Sequence, residues 1–160
     1  MNGHKGLAFT AVTTAASPAT IPHLVVGYDG SPPARRALDA AILLLYGRTG
    51  RIDVVYVVHT PVVADAPVAP ADVGLAQIEQ ELRAMAAEQL GDRGVAWGFE
   101  RCVGNTAHEL TAAATGIGDT NPDRFVAIVV GSSSHVGHRM VGSVAVSLAR
   151  HSPVPLVIVP

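Results

Sequence analysis

Apolar residues along this chain occur in two alternating patterns. Short, nearly continuous apolar runs indicate buried strands, and between them lie segments in which apolar residues recur every three or four positions, as in amphipathic helices. The predicted strands cover residues 23–29, 52–59, 95–103, 125–131 and 154–159. The predicted helices cover residues 34–45, 71–90, 107–116 and 141–151, with loops at 60–70 and 116–124. Strands that alternate with helices in this way favour a parallel sheet with right-handed crossovers.

The alternation predicts a single α/β domain, a flavodoxin- or Rossmann-like α/β/α sandwich with a five-stranded parallel sheet. In a sheet of strand order 3-2-1-4-5, ligands bind where the winding direction reverses, at the carboxyl ends of the first and fourth strands. Those strands end in Gly27-Tyr28-Asp29-Gly30-Ser31 and in Gly131-Ser132-Ser133-Ser134. The two most distinctive loops of the chain therefore share one predicted crevice.

The composition narrows the class of protein. Hydrophobic residues make up 49% of the 160 residues and aromatic residues only 4%, so we expect an aliphatic core, which suits helices packed on a parallel sheet. A formal net charge of −2 gives no basic field for nucleic acid or for an acidic membrane. No apolar run reaches the roughly 18 residues that a membrane-spanning helix needs. We therefore expect a cytoplasmic protein with residues 1–21 as a disordered leader and residues 22–160 as one folded domain.

The segment from Phe125 to Val144 carries the clearest chemical signal. An apolar run stops at Gly131, a loop of small residues follows, and Gly142-Ser143 opens the last amphipathic segment. A strand, a glycine-bounded loop and a helix N-terminus together present backbone N–H groups and the positive end of a helix dipole to an anion. This arrangement suits the phosphates of a nucleotide. The alternative is a plain turn between strand and helix that needs glycines for its backbone angles.

Three features together resemble the universal stress protein family, over about residues 22–160. The first strand ends in Val-Val-Gly-Tyr-Asp-Gly-Ser at residues 25–31, similar to the family's apolar strand followed by Asp-Gly-Ser. The apolar run at residues 54–59 occupies the place of the family's second strand. The glycines of residues 131–144 and the Pro-Val-Pro-Leu-Val-Ile-Val run at residues 153–159 resemble the family's phosphate motif and its closing strand.

The resemblance implies a cytoplasmic, usually dimeric protein that is active in stress and dormancy, and one branch of the family binds ATP. Carried over to this sequence, Asp29 meets the adenosine end of the ligand and Val57 lies by the adenine, while the glycine loop and Gly142-Ser143 hold the ribose and phosphates. ATP is the expected ligand, with AMP or ADP as alternatives, and Mg²⁺ would accompany bound ATP. The candidate binding residues are Gly27, Tyr28, Asp29, Val57, Gly131, Ser132, Ser134, Gly142, Ser143 and Val144.

The chain departs from the family's phosphate motif in the loop after Gly131. Ser134 stands where the family has its second glycine, and seven residues instead of nine separate it from Gly142. A shorter loop with a side chain at that position favours fewer phosphates or a lost site. The alternative function is therefore a dimeric stress scaffold that binds no nucleotide and acts through protein contacts.

Other side chains add little catalytic chemistry. His135 and His138 suggest a metal site only weakly, because no cysteine or carboxylate stands nearby, and Arg139 is the best phosphate donor of that loop. The chain has no P-loop, no nucleophile elbow and no paired carboxylates at the strand ends, so at most slow ATP hydrolysis is expected. The one cysteine, Cys102, excludes an internal disulfide and is expected to be a small core residue.

The last predicted strand is apolar and would lie at one edge of a 3-2-1-4-5 sheet. An exposed apolar edge favours pairing with another strand, and the resemblance implies the same contact, so we expect a homodimer through residues 154–159. The alternative is that the leader or loops of the same chain cover this edge.

Overall fold

The structure, a computed structural model, describes residues 21–59, 72–132 and 142–160. The strands in these ranges are β1 (Ile21–Gly27), β2 (Arg51–Val58), β3 (Ala96–Val103), β4 (Arg124–Gly131) and β5 (Leu156–Val159). The helices are α1 (Pro32–Leu44), α2 (Asp72–Leu90), α3 (Thr106–Thr120) and α4 (Ser143–His151). Each neighbouring pair of strands is parallel and the order is β3-β2-β1-β4-β5, which confirms the fold that the sequence predicts.

Two apolar cores lie on the two faces of the sheet. On one face α1 and α2 cover alternate residues of the central strands, among them Leu24, Val26 and Val54. On the other face α3 and α4 cover the intervening residues, among them Val25 and Val55. Because β1 is buried on both faces, its interior is a continuous apolar run. Each fully buried Val or Leu side chain contributes roughly 1.5–3 kcal/mol of transfer free energy.

The main difference from the sequence-based boundaries is the length of α3. The glycines at 116 and 118 predicted a loop from residue 116 onward, but the helix continues to Thr120. Ala107, Leu110 and Ala114 are buried on one face of α3, and Ile117 extends that face against the same core. Apolar burial therefore outweighs the roughly 1 kcal/mol that each glycine costs inside a helix.

Smaller differences, of one or two residues, occur at the ends of the strands. β1 begins at Ile21, the last residue of the predicted leader, and residues 1–20 lie outside the described residues. β5 begins at Leu156 rather than at residue 154. The predicted loop 60–70 also lies outside the described residues. Within the part of the chain that is described, no helix combines the length and apolarity that crossing a membrane requires.

Four polar side chains form a connected cluster at the amino-terminal ends of the strands. His23 Nε2 donates to Asp53 Oδ2 at 2.7 Å, and Arg51 Nε donates to Asp53 Oδ1 at 2.8 Å. Arg124 donates to His23 Nδ1 at 3.1 Å, so a neutral imidazole with its proton on Nε2 satisfies both of its contacts. A Cβ at Gly98 would lie 2.9 Å from Asp53 Oδ1, so the glycine leaves room for the carboxylate.

Cys102 lies on β3, is partly buried, and packs against the core under α3 and α4, which is the packing role that its sequence context predicts. Burial raises the pKa of its thiol, and the negative charges of Glu100 and Glu109 raise it further. Since only the thiolate is nucleophilic, we expect Cys102 to react with a disulfide reagent at pH 7 at least several-fold more slowly than free cysteine.

The measurement is the rate of thionitrobenzoate release from the folded protein between pH 7 and pH 9.5. The rate should still be rising at the pH where that of free cysteine has levelled off, because a raised pKa moves the thiolate population to higher pH. A rate equal to that of free cysteine at pH 7 would contradict the prediction, and the same protein unfolded in urea is the control.

Candidate functional site

A cleft of about 260 Å³ lies at the carboxyl ends of β1 and β4, where the winding direction of the sheet reverses. The N-termini of α1, α3 and α4 surround it. Eight of the ten binding residues predicted from the sequence line this cleft, among them Val57 of β2. The complete lining is Gly27, Tyr28, Asp29, Ser31, Pro33, Ala34, Val55, Val57, Thr106, Leu110, Val130, Gly131, Gly142, Ser143, Val144 and Ala145.

The N-terminus of α4 presents backbone amides to the cleft. Gly142 occupies the N-cap position with φ −58° and ψ 155°, and the amide of Val146 donates to its carbonyl, so the first intrahelical bond starts there. The first N–H groups of a helix have no intrahelical acceptor, and the residues Ser143 and Val144, which carry two of these groups, line the cleft. Together with the helix dipole, these amides form a site for an anion.

Ser143 differs from its sequence-based interpretation in one respect. The sequence allows its hydroxyl to cap the last helix, but Ser143 is the first residue of α4, and no side chain among the described residues caps this helix. Its exposed side chain therefore does not cap α4, and a serine hydroxyl has the chemistry to donate to a phosphate oxygen.

The N-terminus of α1 also faces the cleft, but its amides are already used. The hydroxyl of Ser31 accepts from the amide of Ala34, and the amide of Arg35 donates to the carbonyl of Ser31. Pro32 and Pro33, the first two residues of the helix, have no N–H group. The first turn of α1 therefore offers no open amide to an anion in this cleft.

Asp29 lines the same cleft and is the second residue after the end of β1. Its Oδ1 accepts from the amide of Ser31 at 3.0 Å, which fixes the carboxylate in a tight turn. An aspartate just before a helix can cap it, but the cap of α1 is Ser31. Asp29 is exposed, and a carboxylate has further acceptor sites on both oxygens, which suit hydroxyl or amine donors of a ligand.

The floor and one wall of the cleft are apolar. Val55 and Val57 come from β2, Val130 from β4, and Leu110 from α3. Val55 and Leu110 are fully buried members of the core under α3 and α4, and Val57 packs against that core. A rigid aliphatic surface of this kind suits the face of a flat aromatic ring, such as a purine, because it holds no polar group to desolvate.

Gly131 is explained by packing. A Cβ at this position would overlap the backbone carbonyl of Pro33, so only glycine lets the end of β4 approach the first turn of α1 so closely. Ser132, the next residue, donates its amide to the carbonyl of Val159 at 2.7 Å and does not line the cleft. Its amide is committed to the sheet, and a binding role for Ser132 stays a prediction.

The rest of the predicted phosphate loop lies outside the described residues, namely Ser134 together with His135, His138 and Arg139. Among the described residues that line the cleft there is no lysine or arginine. Those residues likewise include no group of three or more histidine, cysteine, aspartate or glutamate side chains placed to hold a metal ion.

Sequence reasoning missed the contribution of α3 to the cleft. Thr106 and Leu110 reach it because α3 follows β3 and its N-terminus lies at the same edge of the sheet as that of α4. The cap of α3 was visible in the sequence: Asn105 Oδ1 accepts from the amide of His108, as an N-cap residue does. That signal marks the start of the helix, but only the packed structure shows that this start faces the ligand cleft.

Comparison with known proteins assigns the family. The model of the universal stress protein family matches residues 20–160, so the chain belongs to this family. A search of curated proteins found no significant match. Among solved structures, a universal stress family protein from Burkholderia pseudomallei is 27% identical over 90% of this chain and 99% of its own, with a TM-score of 0.64.

Two further solved structures carry nucleotides. A universal stress protein in complex with cAMP is 22% identical and covers 89% of this chain and 99% of its own, with a TM-score of 0.56. A family member from Arabidopsis thaliana with AMP bound is 13% identical and covers 86% of this chain and 90% of its own, with a TM-score of 0.55. These two comparisons establish the likeness of the fold.

Proposed function

We propose that this protein binds an adenine nucleotide in the cleft between β1 and β4 and acts in stress regulation in the cytoplasm. The observation that carries the proposal is the convergence of three kinds of group in one cleft: open amides at the start of α4, an apolar wall, and the exposed carboxylate of Asp29. The AMP and cAMP complexes of two structures with the same fold support this choice of ligand.

The chemistry of the cleft lining supports one orientation of the nucleotide. The adenine ring lies against Val57 and its apolar neighbours, and Asp29 accepts from a ribose hydroxyl or from the adenine amine. The first phosphate lies at the amides of Ser143 and Val144, opposite the closed N-terminus of α1. ATP is the proposed ligand, with Mg²⁺ on its phosphates, and AMP or ADP are the alternatives that the shortened loop favours.

The test is direct. The purified protein is denatured and any released nucleotide is identified by mass spectrometry; ligand-free protein is then titrated with ATP, ADP, AMP and cAMP by calorimetry, each with and without Mg²⁺. We expect one site per chain with a Kd in the micromolar range. Protein that carries no nucleotide and gives no heat with any of the four would contradict the proposal.

Two substitutions in the cleft test the proposed orientation. Asp29→Ala removes an acceptor and should raise the nucleotide Kd by about tenfold or more, since a hydrogen bond to a charged group contributes about 1.5–3 kcal/mol. Gly142→Val keeps a backbone conformation that any residue adopts, but adds a side chain where the phosphate lies. It should weaken binding at least as much without unfolding the protein.

The matched control is Asp92→Ala, which removes an exposed carboxylate from the turn after α2 and should leave the Kd unchanged. Circular dichroism melting curves confirm that the variants fold. Wild-type affinity in both cleft variants would overturn the assignment of the site, even if the protein binds nucleotide elsewhere.

The edge strand β5 supports a homodimer as the working state. β5 pairs only with β4, so its other edge is open within the described residues. Its side chains are apolar and partly exposed, with Ile158 at 36% exposure. A two-fold contact between two copies of β5 would complete both sheets and cover these side chains. The same contact serves the alternative function, a scaffold that binds no nucleotide.

Ile158→Asp should convert such a dimer into a monomer, because it places two like charges at a self-complementary strand pair. Ile158 is a sharper choice than Leu156, which packs against the core under α3 and α4. Leu43→Asp on α1, where the leucine is 68% exposed, is the matched control and should stay dimeric. Light scattering after size exclusion gives the mass. An Ile158→Asp protein with the wild-type dimer mass would exclude β5 as the interface.

A further inference from the structure

Side chains of α2 contact the loop of residues 28–31, which carries Asp29. Gly30 has a φ of +76°, in the region that favours glycine, and a Cβ there would lie 2.6 Å from Leu82 Cδ2 and 3.4 Å from Met85 Cε. The side chains of α2 therefore pack directly on the backbone of the loop. The opposite side of the same loop lines the nucleotide cleft, through Tyr28 and Asp29.

A closed ring of hydrogen bonds joins this loop to both helices. The hydroxyl of Tyr28 donates to Gln89 Oε1 at 3.2 Å, and Gln89 Nε2 donates to the carbonyl of Arg35 at 2.7 Å. Arg35 Nε in turn donates to the carbonyl of Gly30 at 3.0 Å. The ring starts and ends on the loop, at the residues on either side of Asp29. One amide, that of Gln89, satisfies a donor from the loop and an acceptor on α1.

The hydroxyl of Tyr28, which donates to Gln89 in this ring, keeps its proton at neutral pH. Tyr28 is 3% exposed, and burial raises the pKa of its hydroxyl. The positive charge of Arg35 opposes that rise, whereas the negative charges of Asp29 and Asp39 add to it. The hydroxyl therefore keeps its proton throughout the neutral range. The carbonyl of Arg35 can only accept, so Gln89 turns its nitrogen toward α1 and its oxygen toward the hydroxyl of Tyr28.

We propose that Gln89 of α2 is a positioning residue for the nucleotide site: through Tyr28 and Arg35 it holds the loop that presents Asp29. The inference rests on the proposed function and adds to it a route by which α2, which does not line the cleft, sets the affinity for nucleotide. By reciprocity, bound nucleotide stabilises the docking of α2 on the loop.

The test pairs Gln89→Met with Gln77→Met. Methionine has the length of glutamine but no amide, so Gln89→Met removes the two hydrogen bonds that Gln89 makes and leaves the bond from Arg35 to Gly30 in place. Gln77 is exposed on the same helix, and within the described residues its side chain bonds Glu81, so its replacement removes a hydrogen bond that does not reach the loop. We expect the Kd for ATP to rise about five- to tenfold in Gln89→Met and to stay unchanged in Gln77→Met.

A double-mutant cycle separates positioning from general stability. Tyr28→Phe removes only the hydroxyl and should also raise the Kd, while the double variant with Gln89→Met should bind no more weakly than Gln89→Met alone. A purely structural role would lower the melting temperature and leave the Kd unchanged. That outcome, or additive effects in the double variant, would overturn the inference.

A second readout needs no nucleotide. In ligand-free protein the amide of Ser31 is held by Asp29 Oδ1, and the amide of Arg35 by the carbonyl of Ser31. Hydrogen exchange measured by NMR should be at least about fivefold faster at these two amides in Gln89→Met than in wild type or Gln77→Met. Unchanged exchange would refute the positioning role. A wild-type protein that binds no nucleotide would refute the proposed function, and the exchange result would still decide the inference.

Discussion

Gly131→Ala is expected to destabilise the protein by about 3 kcal/mol, a large effect for one methyl group. The added Cβ would overlap the carbonyl carbon and oxygen of Pro33. These are backbone atoms in the first turn of α1, so no rotation of a side chain relieves the overlap. Either α1 or the end of β4 must shift, and both contribute residues to the cleft between β1 and β4. Urea unfolding monitored by circular dichroism measures the change in the free energy of unfolding.

The matched control for Gly131→Ala is Gly116→Ala. Gly116 lies inside α3, and a Cβ there meets no heavy atom within 4 Å. Alanine favours a helix interior over glycine by about 1 kcal/mol, so the control should be more stable than wild type. The same substitution thus has opposite signs at two glycines of one chain. Equal stability of the two variants would show that β4 and α1 are not in the contact described.

The two glycines that bound the phosphate loop serve different physical needs. Gly131 is required by the approach of α1 to β4, and it would be required even if no ligand bound. Gly142 has a backbone conformation open to other residues, so its backbone angles do not require glycine. The sequence motif contains both glycines, and the structure shows that packing accounts for the first of them.

The topology could be predicted from the sequence because each of its signals is local. A buried parallel strand gives a continuous apolar run, as β1 and β4 do, and a helix gives apolar residues at a spacing of three or four. The crevice between β1 and β4 then follows from the strand order. The predicted end of α3 was wrong because it relied on Gly116, which is a local signal. The burial of Ala114 and the packing of Ile117 depend on the sheet instead.

The cleft was only partly predictable for the same reason. Asp29 and Gly142 stand next to strand and helix ends, so their places followed from local pattern. Leu110 reaches the cleft through the packing of α3, and the bond between Tyr28 and Gln89 joins residues 61 positions apart. No spacing in the sequence indicates such a contact, because it depends on how two helices sit on one face of the sheet.

Asp53→Asn is expected to lower the free energy of unfolding by about 2–3 kcal/mol. Asp53 belongs to the polar cluster at the amino-terminal ends of the strands, whose members are also far apart in the sequence. Asp53 accepts from both His23 and Arg51, and its register neighbour in β3 is Gly98. Asparagine keeps the shape but has one acceptor oxygen, so either the buried imidazole or the guanidinium loses its partner. The partial exposure of Asp53, 21% for its side chain, keeps the effect below that of a fully buried pair.

The control for Asp53→Asn is Asp119→Asn, the same change at an exposed position of α3, which should alter the free energy of unfolding by less than about 0.5 kcal/mol. His23→Leu combined with Asp53→Asn should cost less than the sum of the single changes, because the two side chains share a hydrogen bond. Additive losses would mean that His23 and Asp53 act independently. The cluster lies at the amino-terminal ends of the strands and the cleft lies at their carboxyl ends. We therefore expect these changes to leave the affinity for nucleotide unaltered, so that they affect the stability of the fold and not the proposed site.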